Sequence, residues 1–311
     1  IQIKIGNCRK LLKEIPRKSI QSTITSPPYY GLRDYGTASW IGGDPNCPHK
    51  RLNKQTEANI TGHGDMNNVG SVVGDAIYKS VCPLCGAVRE DEQIGLEETP
   101  EDYVANLVEV FREVRETLSD DGTLWLNLGD TYCGASAIPG IKEKDLIGIP
   151  WMVAFALRND GWYLRQDIIW HKPNPMPEPV KDRCTKSHEY IFLLSKNRNY
   201  YYDNEAIKEK STYPDGPNSP KKIVAGVGEY GMDTRKGLSK IGANEKRNKR
   251  SVWRVNPANL PDAHFATFPE KLILPMVLAS TKPNDTILDP FGGSGTTGLV
   301  AGKHNRDAHP Y

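Results

Sequence analysis

The stretch Thr25-Ser-Pro-Pro-Tyr-Tyr30 combines rigidity with acceptors. Before it, Ile20-Gln-Ser-Thr-Ile-Thr25 alternates and is rich in β-branched residues, which predicts a strand. Neither proline offers an N–H to a sheet ladder, so the strand must stop at Ser26 and leave the sheet as a stiff, extended turn. The carbonyls near Ser26 and Pro27 are then free and fixed in direction, beside the ring of Tyr29. Fixed acceptors next to a flat apolar face suit a planar ring bearing an amino group. The same hexapeptide would also serve as a proline-stiffened turn with two surface tyrosines.

Two further constellations could bind ligands. Cys47-Pro-His49 and Cys82-Pro-Leu-Cys85-Gly86 offer three sulfurs and one imidazole, with a glycine that lets the second pair turn back toward a metal. Four such ligands fill a tetrahedral zinc shell and leave no open position, so the expected site is structural; His63 is a spare nitrogen ligand. The alternative is unrelated free cysteines and a redox-inert Cys-x-x-Cys. Near the other end, Thr286-Ile-Leu-Asp289 predicts a strand, Pro290-Phe-Gly-Gly-Ser-Gly295 a glycine-rich turn, and Thr296 a helix start. Such a turn lets N–H groups approach an anionic ligand. It lacks the phosphate-loop lysine and matches neither the dinucleotide nor the phosphate-loop spacing.

The elements that must position these residues alternate. Ile1 to Ile5 predicts a short strand, Cys8 to Ile15 a helix stopped by Pro16, and with the strand before Ser26 these make a β-α-β unit. Thr99-Pro-Glu-Asp102 is a capped helix start; the helix runs to Leu118 and an Asp121-Gly122 turn, and a buried strand follows over 123–128. Asp130 at its end could touch a ligand or cap a turn. A helix over 146–159, a strand over 162–171, a proline-spaced loop over 172–179 and a strand over 188–195 continue the pattern. Loop residues after parallel strands lie at the carboxyl edge, where open α/β sheets bind ligands.

Two segments break the alternation. Residues 37–95 are polar and glycine-rich with little periodicity, as expected of an insert held by the metal site. Residues 206–254 hold twelve Lys or Arg against five Asp or Glu, a net +7 where the whole 311-residue chain has +2. The tract Glu245-Lys-Arg-Asn-Lys-Arg250 could lie along a phosphate backbone through Lys246, Arg247, Lys249 and Arg250, or be a solvated loop. Trp253 should anchor it to the body. No apolar run reaches the length of a membrane span, and six cysteines without a disulfide pattern fit a cytoplasmic setting.

Taken together, these motifs resemble the beta class of S-adenosylmethionine-dependent DNA amino-methyltransferases, the N4-cytosine/N6-adenine family. Thr25-Ser-Pro-Pro-Tyr29 is similar to its catalytic motif, Asp289-Pro-Phe-Gly-Gly-Ser-Gly295 to its cofactor motif, and His264 to Leu272 to the segment that closes over the methionine end. The resemblance covers about 1–36, 96–200 and 255–306. It implies an α/β fold: a circularly permuted Rossmann-like methyltransferase sheet, formed by 1–36, 96–205 and 255–311, with a zinc-stapled insert at 37–95 and a basic target-recognition segment at 206–254. It implies Ser26, Pro27, Pro28 and Tyr29 as the catalytic set, the Ser26 side chain and Pro27 carbonyl holding the amine of a flipped-out base on which Tyr29 stacks. For S-adenosyl-L-methionine it implies Asn7, Phe268, Asp289, Phe291, Gly292, Gly293, Gly295 and Thr296. Asn7 stands where the family often has Asp. The family also has a later strand ending in an acid for the ribose; Asp307 stands too early for that role, and Ala-His-Pro-Tyr311 follows it. Ser as the first motif residue favours the 4-amino group of cytosine, with adenine N6 as the alternative. A catalytically inactive DNA-binding or specificity module and an RNA or protein methyltransferase are readings of other classes. Expected partners are double-stranded DNA, with a homodimer and a restriction endonuclease compatible with the resemblance, in a prokaryotic or phage setting.

Overall fold

The computed structural model describes residues 1–31, 38–51, 76–77, 81–134, 138, 140–211, 245–257 and 269–310. The chain divides into two compact units, one of residues 1–31 with 97–311 and one of residues 32–96.

The larger unit is built on a seven-stranded sheet. In chain order its strands are β1 (Ile20–Thr25), β2 (Leu118–Leu128), β3 (Tyr163–His171), β4 (His188–Ser195), β5 (Val252–Arg254), β6 (Thr286–Asp289) and β7 (Asp307–Pro310). Their spatial order is β5-β3-β4-β2-β1-β6-β7. All neighbours pair in parallel except β4, which runs antiparallel to both β2 and β3. The six remaining strands therefore share one direction, and the loops after β1, β2, β3 and β6 leave from one edge. β1, an interior strand, is almost wholly buried, as a strand covered on both faces must be.

Helices α2 (Pro100–Thr117) and α3 (Ile149–Asn159) cover one face, α3 through edge-on contact of Trp151 with Phe192 of β4. On the opposite face α4 (Glu270–Ser280) packs Leu272, Ile273, Met276 and Val277 against Ile24 and Trp125, and α5 (Thr296–Lys303) adds Val300 and Ala301. A short α1 (Cys8–Leu11) precedes a 3-10 turn and ends before Pro16.

The expected α/β alternation and sheet direction are present. Three local expectations are corrected. Ile1–Ile5 is not a strand: Gln2 and Lys4 each donate one N–H to β7, at Ala308 and Pro310, and Ile1, Ile3 and Ile5 stay exposed. Asp121-Gly122 is not a turn between helix and strand; β2 starts at Leu118 and bulges there, because Ile20 pairs with Leu118 but Ser22 with Thr123. The basic segment ends earlier than residue 254, since Val252–Arg254 is a sheet strand whose Trp253 is buried against Trp125.

In the smaller unit Ser39–Ile41 pairs antiparallel with Val88–Glu90, and Lys50–Arg51 with Ala76–Ile77.

Candidate active site

At the carboxyl edge the two loops singled out by sequence begin side by side. β1 and β6 are parallel neighbours with Thr23 beside Leu288. Two residues on, the Thr25 hydroxyl donates to Asp289 Oδ1 at 2.6 Å. Asp289 Oδ2 accepts from the Thr297 hydroxyl in the first turn of α5 at 2.7 Å, and Oδ1 also accepts from the Phe291 N–H. Asp289 is 2% exposed, and burial pushes its carboxyl up to about 6 against those hydrogen bonds. Expected as a cofactor ligand, Asp289 instead spends both oxygens tying the start of the Ser26 loop to the glycine loop.

The glycine loop then turns back on itself. Gly293 and Gly295 lie in the left-handed region, at φ 51° and 76°, and the Gly295 N–H closes the turn onto the Gly292 carbonyl. Phe291, Gly292 and Thr296 are half-buried around it, and Thr296 Oγ1 lies 3.1 Å from Ser294 Oγ. Because Asp289 pairs with Pro310 and Lys4 bonds to Pro310, the chain reaches the same edge at Asn7. There the Asn7 side chain caps α1 by accepting from the Arg9 N–H. Asp307 starts β7 opposite Thr286, at the far end of the sheet, so it is no ligand at this edge. Phe268 and His264, like His63, fall outside the described residues.

The Ser-Pro-Pro-Tyr loop is held from three sides. The fully buried Tyr103 of α2 donates its hydroxyl to the Pro28 carbonyl at 2.8 Å. Among the described residues no hydrogen bond reaches the Pro27 carbonyl. The Tyr29 hydroxyl donates to Glu189 Oε2 at 2.7 Å and accepts from Asn127 Nδ2 at 2.5 Å and from Ser26 Oγ at 3.3 Å. Asn127 Nδ2 also lies 2.8 Å from Glu189 Oε2, and Lys172 pairs with Glu189 Oε1. Burial and the Glu189 charge push the Tyr29 hydroxyl well above 10, so it stays protonated. The Tyr29 ring rests against Gly129, where a Cβ would stand 2.5 Å from its Cε2.

Asn127, Glu189, Lys172, Tyr103 and Gly129 were not singled out from sequence. Asn127 carried a signal: a lone amide in the apolar run Thr123–Leu128 needs partners. Asp130 proves to be a cap, accepting from the N–H of its neighbour Thr131 and from the Gly148 and Ile149 N–H groups at the start of α3.

Of the basic tract, Arg247 and Arg250 both pair with Glu209, Lys249 lies over the Trp253 ring at 5.0 Å, and Lys246 is exposed. Two of the four cations expected to meet phosphate are thus paired with a carboxylate of the protein, and a third, Lys249, lies on an indole.

In the smaller unit, ligand atoms of Cys47, His49, Cys82 and Cys85 all lie within 4.8 Å of one another. Cys47 Sγ is 3.7 Å from Cys82 Sγ, and Cys85 Sγ is 3.5 Å from His49 Nδ1. The His49 ring stacks on Trp40, and the Gly86 N–H returns to the Cys82 carbonyl. Backbone N–H groups of Ala87 and Asp44 hold the Cys85 thiol below its ordinary range.

Comparison with known proteins places this geometry. A family model described as DNA methylase, of the N6/N4 type, matches residues 20–309. The chain is 38% identical to the Type II methyltransferase M.SmaI of Serratia marcescens, covering 98% of this chain and 84% of that one. It is equally similar, at 38%, to M.Cfr9I of Citrobacter freundii, covering 97% and 79%. Among solved structures, the PvuII DNA methyltransferase (cytosine-N4-specific) shares the fold at TM-score 0.58 and 18% identity, over 99% of this chain and 80% of that one. A putative DNA modification methylase from Thermus thermophilus, solved with S-adenosyl-L-methionine, does so at TM-score 0.53 and 20% identity, over 99% and 87%. A match over nearly the whole chain, joined to the two loops that meet at one sheet edge, shows that the chain belongs to the N4-cytosine/N6-adenine DNA methylase family.

Proposed function

We propose that this chain methylates the exocyclic 4-amino group of cytosine in duplex DNA, with S-adenosyl-L-methionine as donor and the base flipped out of the helix. The observation that supports it best is the Thr25–Asp289 hydrogen bond, which sets the Ser26 loop and the glycine loop against each other. S-adenosyl-L-methionine would supply an electrophilic methyl group on sulfur. The left-handed glycines, Gly293 and Gly295, leave open space beside the N-terminus of α5, suited to the carboxylate end of such a molecule. Ser26 Oγ and the Pro27 carbonyl are acceptors for the two hydrogens of an amine. Holding both draws the nitrogen toward tetrahedral geometry and aims its lone pair for in-line attack. A base must leave the duplex to reach acceptors at the foot of this edge, and Tyr29 supplies an aromatic surface there. Serine at position 26 and the cytosine-N4-specific name of the PvuII enzyme favour cytosine; adenine N6 is the second reading. The Type II names of M.SmaI and M.Cfr9I suggest a role in a restriction-modification pair. Because the Ser26 loop precedes the glycine loop in the chain, we read the sheet as the permuted arrangement. The basic segment 206–251, which stops where β5 begins, is the proposed target reader, with Lys246 and Lys249 as its phosphate contacts.

We further propose that Cys47, His49, Cys82 and Cys85 hold a structural zinc ion. Ordinary Zn–S and Zn–N bonds give tetrahedral edges of about 3.8 Å between sulfurs and about 3.6 Å between sulfur and nitrogen. The 3.7 Å and 3.5 Å separations fit them. Four protein ligands leave no position for substrate.

The deciding experiment incubates the protein with S-adenosyl-L-methionine and unmethylated duplex DNA, then digests the DNA to nucleosides. N4-methylcytosine is expected; N6-methyladenine would move the target to adenine. No methylated nucleoside, with donor and DNA both bound, would favour an inactive binding module. Ser26→Ala should abolish product while donor binding persists; surviving turnover would overturn the catalytic assignment.

A further inference from the structure

We infer that Ser26, Tyr29 and Glu189 form a proton relay that drains the target amine as it is methylated, with Glu189 as terminal acceptor. The inference rests on the amino-methyltransferase reading above and deepens it.

The hydrogen bonds run in one direction. Ser26 Oγ–H donates to Tyr29 Oη at 3.3 Å, and Tyr29 Oη–H donates to Glu189 Oε2 at 2.7 Å. Asn127 Nδ2 donates to the same phenol oxygen at 2.5 Å. Tyr29 therefore uses its whole capacity of one donor and two acceptors. Glu189 and Lys172 are 14% and 22% exposed and paired with each other. A part-buried ion pair carries a desolvation cost that apolar packing at the same place would not. A carboxylate behind that hydroxyl, paired with Lys172, offers an acceptor for its proton.

As the nitrogen–methyl bond forms and the methyl–sulfur bond breaks, the amine nitrogen gains positive charge and a surplus proton. Ser26 Oγ takes that proton as its own passes to Tyr29 Oη, and the Tyr29 proton passes to Glu189 Oε2. The products are a neutral methylated amine, the thioether of the spent donor and a neutral Glu189 carboxylic acid, which returns its proton to solvent. Ser26 and Tyr29 end unchanged. Tyr29 does not ionise unaided, because burial holds its proton; it passes one on only while receiving another. The Asn127 N–H at its oxygen eases that passage. Ser26 touches the reacting amine in this scheme, while Glu189 acts through Tyr29 as a positioning and accepting group.

The test is a double-mutant cycle in single-turnover methylation of duplex DNA with donor prebound. Tyr29→Phe keeps the ring and leaves the Lys172–Glu189 pair intact. Glu189→Gln keeps an acceptor for Tyr29 but cannot take a proton. Each should lower the rate about 100-fold, the low end for general acid–base catalysis, with donor affinity unchanged. The double variant should be no slower than the slower single one, because a chain cut twice is no more broken than a chain cut once. Glu189→Asp should recover part of the loss, and the wild type's slowing in deuterium oxide should vanish in Tyr29→Phe. Multiplied losses in the double variant, or Tyr29→Phe within about twofold of wild type, would overturn the relay. A wild type that methylates no DNA would instead overturn the reading beneath it.

Discussion

Gly129 leaves room for the Tyr29 ring and nothing else. Its φ is not left-handed, so the constraint is space: a Cβ would stand 2.5 Å and 2.9 Å from two ring carbons. Gly129→Ala must push the ring or the loop aside, at about 1–3 kcal/mol of overpacking. Because the ring hydroxyl organises Ser26, methylation should fall about 100-fold while the fold persists, as expected for misplacement by an ångström. Circular dichroism and a rate measurement on the same sample check this; unimpaired turnover would show that the ring can move freely. Asp289 gives a pH prediction. Burial raises its carboxyl from 3.8 to about 6, so the folded chain holds that proton more tightly than the unfolded chain does. Its contribution is then full below about pH 4 and is lost as pH rises through about 6. Asp289→Asn cannot ionise and keeps an acceptor for Thr25. Its stability relative to wild type should rise by roughly 2 kcal/mol between pH 4 and pH 7, from the size of the shift. Urea unfolding at both pH values measures it, and a constant difference would refute it. At this scale the sequence announced Ser26 to Tyr29 because paired prolines dictate local geometry. It could not announce Glu189, whose place beside Tyr29 depends on pairing of β4 with β2, where Leu128 meets Tyr190.

Helix α2 shows how an element positions a loop it does not contain. Thr99 caps it by accepting from the Asp102 N–H, and Tyr103, Leu107, Val110, Phe111 and Val114 are fully buried. At about 1.5–3 kcal/mol for each large apolar side chain, that face fixes the helix firmly on the sheet. The Tyr103 hydroxyl is thereby a rigid donor to the Pro28 carbonyl. Tyr103→Phe removes one hydrogen bond and no packing, so it should cost about 1 kcal/mol. Turnover should drop more than that stability loss suggests, because the loop loses an anchor next to the acceptors. Thermal melts alongside methylation rates would reveal it; a variant that melts lower yet turns over normally would mean the prolines alone fix the loop. Caps and apolar periodicity made α2 readable in advance. The bulge at 119–122 was not readable: Asp-Gly favours a turn locally, and only pairing of both Leu118 and Thr123 with β1 turns it into an interruption within one strand. The alternation of Ile1 to Ile5 was equally clear, but a strand needs a partner, and β7 offers it two hydrogen bonds.

At the scale of the molecule, Thr25 and Asp289 are 264 residues apart and touch because β1 and β6 are neighbours. Element order along the chain does not determine neighbour order in a sheet; the resemblance of the two motifs, read together, supplied that adjacency. The smaller unit, Leu32–Leu96, contains the run expected at 37–95 to be an insert, one with few apolar positions to build a core. In the unit 32–96, Cys82, Ala87 and Ile94 are the buried apolar side chains among the described residues. Among the described residues, three such side chains, two of them small, offset little of the conformational entropy of ordering them, at about 1–2 kcal/mol per residue. Cross-linking by a metal offsets more, since a structural zinc site is worth about 10–16 kcal/mol at neutral pH. The purified protein should therefore carry close to one zinc per chain, and Cys82→Ser, which removes the most buried ligand, should lose it. Stripping the metal should open 38–51 and 81–96 to proteases while the seven-stranded unit, with its own large core, keeps its melting transition. Metal analysis with limited proteolysis decides the matter. Less than about half an equivalent of zinc, or a proteolytic pattern indifferent to chelation, would mean that the four side chains meet without a metal and that something else holds this unit together.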